Sequence, residues 1–176
     1  MLELSILGFL HEEPLHGYEL KARLQALNGH IRPVSDGALY PAITRLVKAG
    51  SVEQHTEPGS GAAARVGEGQ HPAGRAALMD RLREPKDVEI SDGQRFFTLL
   101  AFLRFLPDPA AQAAVLRRRK AFLDTPSSFF HRDGEPMRAE EAPDPFRQGM
   151  LRIARATTAE ERAWLDETIA ALEDRA

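Results

Sequence analysis

Ser35-Asp36-Gly37-Ala38-Leu39-Tyr40-Pro41-Ala42-Ile43-Thr44-Arg45-Leu46-Val47-Lys48-Ala49-Gly50 is the stretch whose reading settles the architecture. Ser35 is a favoured helix N-cap, because its short side chain can accept from an otherwise unpaired N–H of the first turn. Gly50 stands where a helix closes on a left-handed residue, a conformation glycine adopts without steric cost. Between them, an advance of about 100° per residue sorts the side chains onto two faces. Leu39, Ile43 and Leu46 fall together, with Val47 at the edge. Gly37, Pro41, Thr44 and Lys48 fall opposite, flanked by Tyr40 and Arg45. One side is suited to packing; the other is polar, partly basic and holds an aromatic hydroxyl. Pro41 removes one backbone hydrogen bond, which predicts a distorted start to this helix.

Working outward, Leu2, Leu4, Ile6, Leu7, Phe9 and Leu10 are apolar on nearly every side, which predicts a short helix covered by its neighbours. His11-Glu12-Glu13-Pro14 ends it, since the residue before proline disfavours helix. A second helix is expected from about His16 to Leu27, with Leu20, Leu24 and Leu27 on one buried face and Asn28-Gly29 as its stop. Downstream of Gly50, Ser51 to Thr56 alternates weakly and predicts a strand. Pro58-Gly59-Ser60-Gly61 is a turn signal, and a partner strand is expected near Arg65 to His71. Pro72 then opens a helix to about Leu82. Residues 84–94 are polar, with one Pro and one Gly, and read as a linker.

The second half carries longer helical patterns. Phe96 to Leu106 is densely apolar and stops at Pro107. Asp108-Pro109 and Asp144-Pro145 each pair an N-cap with proline at the first helical position. They predict helices to about Asp124 and Glu173, with residues 125–143 irregular between them. Thr158 with Glu161 suits a capping box that would divide the last helix, but no Gly or Pro interrupts residues 150–175, which favours one long helix.

Composition bounds the function. The chain has 176 residues, 43% apolar and 28% charged, enough to bury a core. Cysteine is absent, which excludes disulfides, thiolate nucleophiles and Cys-type zinc sites and fits a cytoplasmic location. No apolar run approaches the ~18 residues of a membrane span. No basic region precedes the apolar start at Met1, so no secretory leader is expected. The net charge of −3 rules out a globally basic chain, so a nucleic-acid site must be local. From Lys21 to Arg83, nine Lys or Arg stand against five Asp or Glu, a balance of +4. His11, His16, His30, His55, His71 and His131 show no i, i+4 ligand spacing, so no metal or cofactor is expected. Neither a phosphate-loop glycine pattern nor a nucleophile elbow is present, and no enzymatic activity is expected.

Three helices followed by a hairpin is the order of a winged helix, whose third helix enters the DNA major groove. Leu39, Ile43 and Leu46 would anchor it, and Tyr40, Thr44, Arg45 and Lys48 would face phosphates and base edges. Gly37 would let the helix N-terminus approach a phosphate closely. The same pattern also suits an ordinary solvated helix, so pattern alone leaves both readings open.

Beyond pattern, Leu7-Gly8, the Pro14-Leu15-His16-Gly17-Tyr18-Glu19-Leu20 run, Leu39-Tyr40-Pro41-Ala42, Arg45-Leu46, Gly50 and Ala73-Gly74-Arg75, in this order, resemble the PadR family of bacterial transcriptional regulators. The stretch from Arg32 to Ile43 (RPVSDGALYPAI) and the carboxy-terminal half look like its actinobacterial-type branch. The resemblance implies a mainly helical fold with a small β-hairpin: a winged helix-turn-helix over residues 1–83, a linker at 84–94 and a helical dimerisation domain over 95–176. It implies a homodimeric repressor on a near-palindromic double-stranded operator, with carboxy-terminal helices that offer room for a small-molecule effector. Ser35, Gly37, Tyr40, Pro41 and Lys48 match the family's recognition-helix positions, and Arg65 would reach phosphates or the minor groove from the wing.

The chain departs from the family at Arg65-Val66-Gly67-Glu68-Gly69-Gln70-His71, where two glycines and little β-branching make a poor strand. That departure motivates a second reading: a dimeric ligand-sensing or interaction protein with a degenerate wing and weak DNA binding. Ser51 is a smaller departure, at a place where an apolar residue is expected. Arg117-Arg118-Arg119-Lys120 is the one dense basic run, expected to be solvated or ion-paired at a dimer interface. The aromatic residues Phe96, Phe97, Phe102, Phe105, Phe122, Phe129, Phe130 and Trp164 are expected in the core or a dimer interface. Phe146, Met150, Ile153 and Thr157 form one stripe of the last helix, suited to dimer packing.

Overall fold

The computed structural model describes residues 1–29, 33–56, 64–67, 72–125, 131–132 and 135–175. They fall into two compact units, Met1–Pro107 and Asp108–Ala176.

In the first unit, α1 (Leu2–Glu12) is the hub; Leu4, Ile6, Leu7 and Leu10 are buried, and so are Ser5 and Gly8. It packs against α2 (Gly17–Asn28), α3 (Asp36–Lys48), α4 (Pro72–Arg83) and α6 (Gly93–Leu103). This explains why its sequence is apolar on so many sides. Its C-cap Glu13, the residue before Pro14, is extended, as the proline ring requires. Gly8 permits the closest approach: a Cβ there would lie 2.4 Å from the Phe102 ring of α6. Phe102 meets Phe9 edge-on at 5.1 Å.

A three-stranded antiparallel sheet has the order β1 (Leu15–His16), β3 (Ala64–Gly67), β2 (Glu53–Thr56). The central strand sets Arg65 between His16 and His55, and Val66 between Leu15 and Gln54. The expected hairpin is therefore present over Glu53–Thr56 and Ala64–Gly67, and β1, which the sequence reading did not anticipate, extends it. The turn expected at 58–61, the continuation of the second strand through 68–71, and Phe129 and Phe130 lie outside the described residues.

The segment expected as a linker, residues 84–94, is structured. It holds α5 (Asp87–Ser91), which packs against α6. Glu89 is only 3% exposed, pairs with Arg81 of α4 and accepts the Lys86 N–H at 2.9 Å. Asp92 then accepts the Arg95 N–H at 2.9 Å and caps α6. A buried carboxylate held this way ties the segment into the unit, which continues to Pro107.

The second unit is an antiparallel-type pairing of α7 (Pro109–Asp124) with α8 (Pro145–Glu173). Between them lie the short hairpin β4 (His131–Arg132) and β5 (Glu135–Pro136) and a 3-10 turn at Ala139–Glu141, where only irregular chain is expected from sequence. Asp108 accepts the Ala110 N–H, and Asp144 accepts those of Phe146 and Arg147, each at 2.9 Å. Both Asp-Pro signals therefore start helices where expected, and α8 runs undivided through Thr158. Phe96 and Phe102 are buried, whereas Phe97, Phe122 and Trp164 are exposed. Among the described residues, no helix is long and apolar enough to cross a membrane.

Candidate nucleic-acid interface

α3 takes the two-faced form its sequence predicts. Leu39, Ala42, Ile43 and Leu46 are buried. Ser35, Gly37, Tyr40, Pro41, Thr44, Arg45 and Lys48 are exposed. Ser35 is the N-cap through its backbone, whose carbonyl oxygen accepts the Ala38 and Leu39 N–H groups at 3.0 Å. Its hydroxyl makes no capping bond. The helix runs through Pro41 without a break, because the missing N–H falls on the solvent side.

The C-terminus of α3 closes as a Schellman motif. Gly50 sits at φ 67° and gives its N–H to the Val47 carbonyl, while Ser51 gives its own to the Leu46 carbonyl, both at 2.9 Å. Ser51 is buried at the end of this motif, and Val52 beside it is the apolar residue that seats the sheet. That resolves the departure at Ser51: the anchoring position is displaced by one residue.

On the outward side, the Tyr40 ring is 53% exposed and lies across the start of α2. A Cβ at Gly17 would stand 3.6 Å from its Cε1 and 3.7 Å from its hydroxyl oxygen. At Gly37, a Cβ would meet nothing nearer than the Ser35 hydroxyl at 4.0 Å. Packing within the chain therefore places no demand for glycine there, and the open space is available to an external group. The Thr44 hydroxyl donates to the Tyr40 carbonyl oxygen at 2.9 Å, which commits its hydrogen and leaves this exposed oxygen to act as an acceptor.

The charges of this face are partly matched. Arg45 reaches Glu3 of α1 at 2.9 Å, and Lys21 of α2 reaches Asp36 at 2.7 Å. Lys48, in the last turn, makes no ion pair among the described residues. Arg65 lies on the central strand, so the structure places its backbone in the wing.

Residues 6–67 match the transcriptional regulator PadR-like family. The amino-terminal region is thus similar to the PadR-like transcriptional regulators. The PadR-like segment spans all but the first turn of α1, then α2, α3 and the three strands, and it contains every residue named above except Glu3. Among solved structures, Bacillus subtilis PadR in complex with operator DNA is similar over 97% of this chain and 97% of that one, with 22% sequence identity and a TM-score of 0.44. No curated protein sequence matches the chain significantly.

The PadR-like segment also displays residues that pattern reading passed over. Tyr18 is exposed on α2 and stacks on His16, ring centroids 5.7 Å apart. Lys21 lies one turn further along. Their signal was present in the His16-Gly17-Tyr18-Glu19 run, but that run marks a helix start. The Glu19 carboxylate accepts the His16 N–H at 2.8 Å, and this bond holds its pKa below the usual carboxylate value.

Proposed function

We propose that the chain is a sequence-specific DNA-binding regulator that acts in the cytoplasm as a homodimeric repressor on a near-palindromic operator. The observation that carries this reading is the division of α3 into a buried apolar side and an exposed side bearing Gly37, Tyr40, Thr44, Arg45 and Lys48, inside a PadR-like segment. In this reading α3 lies in the major groove, Ser35 and Gly37 bring its N-terminus to a phosphate, and Tyr40, Pro41 and Thr44 meet base edges and sugars. Arg45 and Lys48 contact phosphates, and Arg65 reaches them from the wing. The pairs that hold Arg45 and Lys21 are solvent-exposed; such pairs are worth about 0–1 kcal/mol, so a phosphate can take the place of either carboxylate.

Residues 1–83 supply the DNA-binding part and the carboxy-terminal unit the dimer contact. Phe146 is 86% and Ile153 70% exposed, with Met150 between them on one stripe of α8. A second copy covering this stripe would remove that apolar surface from water and set two α3 helices against successive half-sites.

Fluorescence anisotropy with the DNA upstream of the coding region, at several salt concentrations, tests the reading. Competitor-resistant binding that weakens with salt is expected. Lys48→Ala should weaken binding and lower the salt slope by about one unit. Tyr40→Ala should weaken it with thermal unfolding unchanged. A double variant that binds like the parent would overturn the placement of α3.

A further inference from the structure

Asp36 is the only acid in α3, and it stands in the first turn of the exposed side of that helix. Its side chain is 61% exposed. Tyr40 follows one turn later and Thr44 one turn after that, so the three lie along one outward ridge. A carboxylate on a surface that meets phosphates costs affinity through like-charge repulsion, unless the nucleic acid gives it a hydrogen bond.

Other acids at helix starts in this chain serve the backbone. Asp92, Asp108 and Asp144 each accept a main-chain N–H at 2.9 Å. Asp36 accepts none among the described residues. Its Oδ1 takes the Lys21 ammonium from α2 at 2.7 Å, and its Oδ2 makes no hydrogen bond among the described residues. Gly37 beside it carries no side chain, and the space a Cβ would enter there is empty out to the Ser35 hydroxyl at 4.0 Å. An uncommitted acceptor with an open approach therefore stands at the end of α3 whose residues reach base edges in a helix-turn-helix.

The chemistry of the major groove narrows what such an acceptor can read. Only cytosine N4 and adenine N6 present N–H donors there. Adenine also sets its N7 lone pair beside N6, and that lone pair repels a carboxylate. Cytosine N4 has a C–H as its neighbour instead.

We infer that Asp36 is a specificity-determining residue that accepts from the N4 amino group of one cytosine in each operator half-site. The inference rests on the regulator reading, with α3 in the major groove. In the free chain Lys21 balances the carboxylate. On the duplex a phosphate takes Lys21, as a pair this exposed permits, and leaves Asp36 to the base.

Selection of duplexes from a randomised pool by the full chain, followed by fluorescence anisotropy on the selected duplex and on unrelated DNA, tests this. The parent is expected to fix a C·G pair at one position of each half-site. Asp36→Ala should lose the preference at that position alone and bind the selected duplex about tenfold more weakly. Its affinity for unrelated DNA should stay level or rise, because a negative charge has gone. Asp36→Asn should exchange the cytosine preference for adenine, whose N6 and N7 together suit an amide. Lys21→Gln should lower the salt slope by about one unit and keep the base preference. An acid that served only the helix would, when replaced, lower the melting temperature and leave the selected sequence as it was. Unchanged selection by Asp36→Ala, or an equal loss on selected and unrelated DNA, would overturn the role of Asp36 and leave the regulator reading standing. A parent that fixes no sequence at all would overturn both.

Discussion

Two regions of this molecule are basic, and they spend their charge differently. Arg117-Arg118-Arg119-Lys120 on α7 is the densest basic run in the chain, and α8 answers it with carboxylates. Arg117 pairs with Glu173, Arg119 with Glu161 and Lys120 with Asp166. Arg119 is only 5% exposed and meets both Glu161 oxygens, at 2.7 and 3.1 Å. The hydrogen bond to Asp166 raises the Lys120 pKa above its ordinary value. The outward side of α3 carries fewer cations, but they stand in solvent beside an exposed tyrosine, and Lys48 has no carboxylate partner among the described residues. The lesson is that availability, rather than density, makes a basic residue useful to a polyanion. The α7 run acts within one unit as a clasp between two helices.

The contrast can be broken or sharpened by mutation. The largest effect is expected from the buried side of α3: Leu39→Ala empties a site that is 0% exposed, and should cost about 2–5 kcal/mol in urea denaturation. Next, Arg119→Ala leaves the partly buried Glu161 without its partner, and should cost about 1–3 kcal/mol by the same measurement. If stability were unchanged while DNA binding fell, the α7 run would be a nucleic-acid contact and the contrast would fail. Lys120→Ala should change stability by less than about 0.5 kcal/mol, since exposed pairs contribute little, and leave operator affinity and its salt slope intact.

The smallest effect concerns pH. His11 packs edge-on against Phe105 at 4.8 Å. Burial, and then the Arg75 charge, lower its pKa below the ordinary value. The folded chain therefore binds this proton less readily than the unfolded chain does. The contribution of His11 is present in full above the ordinary histidine range of about 6.5 and is lost as pH falls through the lowered value. Melting curves from pH 7.5 to 5 should show a decline that His11→Gln makes shallower; an unchanged decline would remove His11 from the account.

The parts of this fold that were legible in the sequence are those encoded by neighbours. Asp108-Pro109, Asp144-Pro145 and Gly50 each act on backbone groups within a few residues, and each starts or ends a helix where expected. The inner and outer sides of α3 were legible for the same reason, since a helical period needs only its own sequence. Less visible were pairings across long separations. Leu15-His16 is too short to read as a strand, and becomes one only because Val66 and Arg65 arrive beside it. Asp87–Ser91 reads as linker because one of its two buried side chains, Glu89 beside Ile90, is a carboxylate, which is tolerable only beside Arg81. The same applies within the candidate interface. Nothing local to Arg45 announces Glu3, and nothing in Gly17 announces the Tyr40 ring above it.

By itself, then, the amino-acid sequence determined the helices with their caps, the two sides of α3 and the PadR-like order of motifs, because backbone hydrogen bonding and side-chain period act over a few residues. Tertiary structure decided which charges remain open to a partner, where the first unit ends, and that Lys21 of α2 meets Asp36 of α3. Those outcomes depend on which distant groups meet, and the cost of burying an unmatched charge or donor selects among the meetings that folding allows.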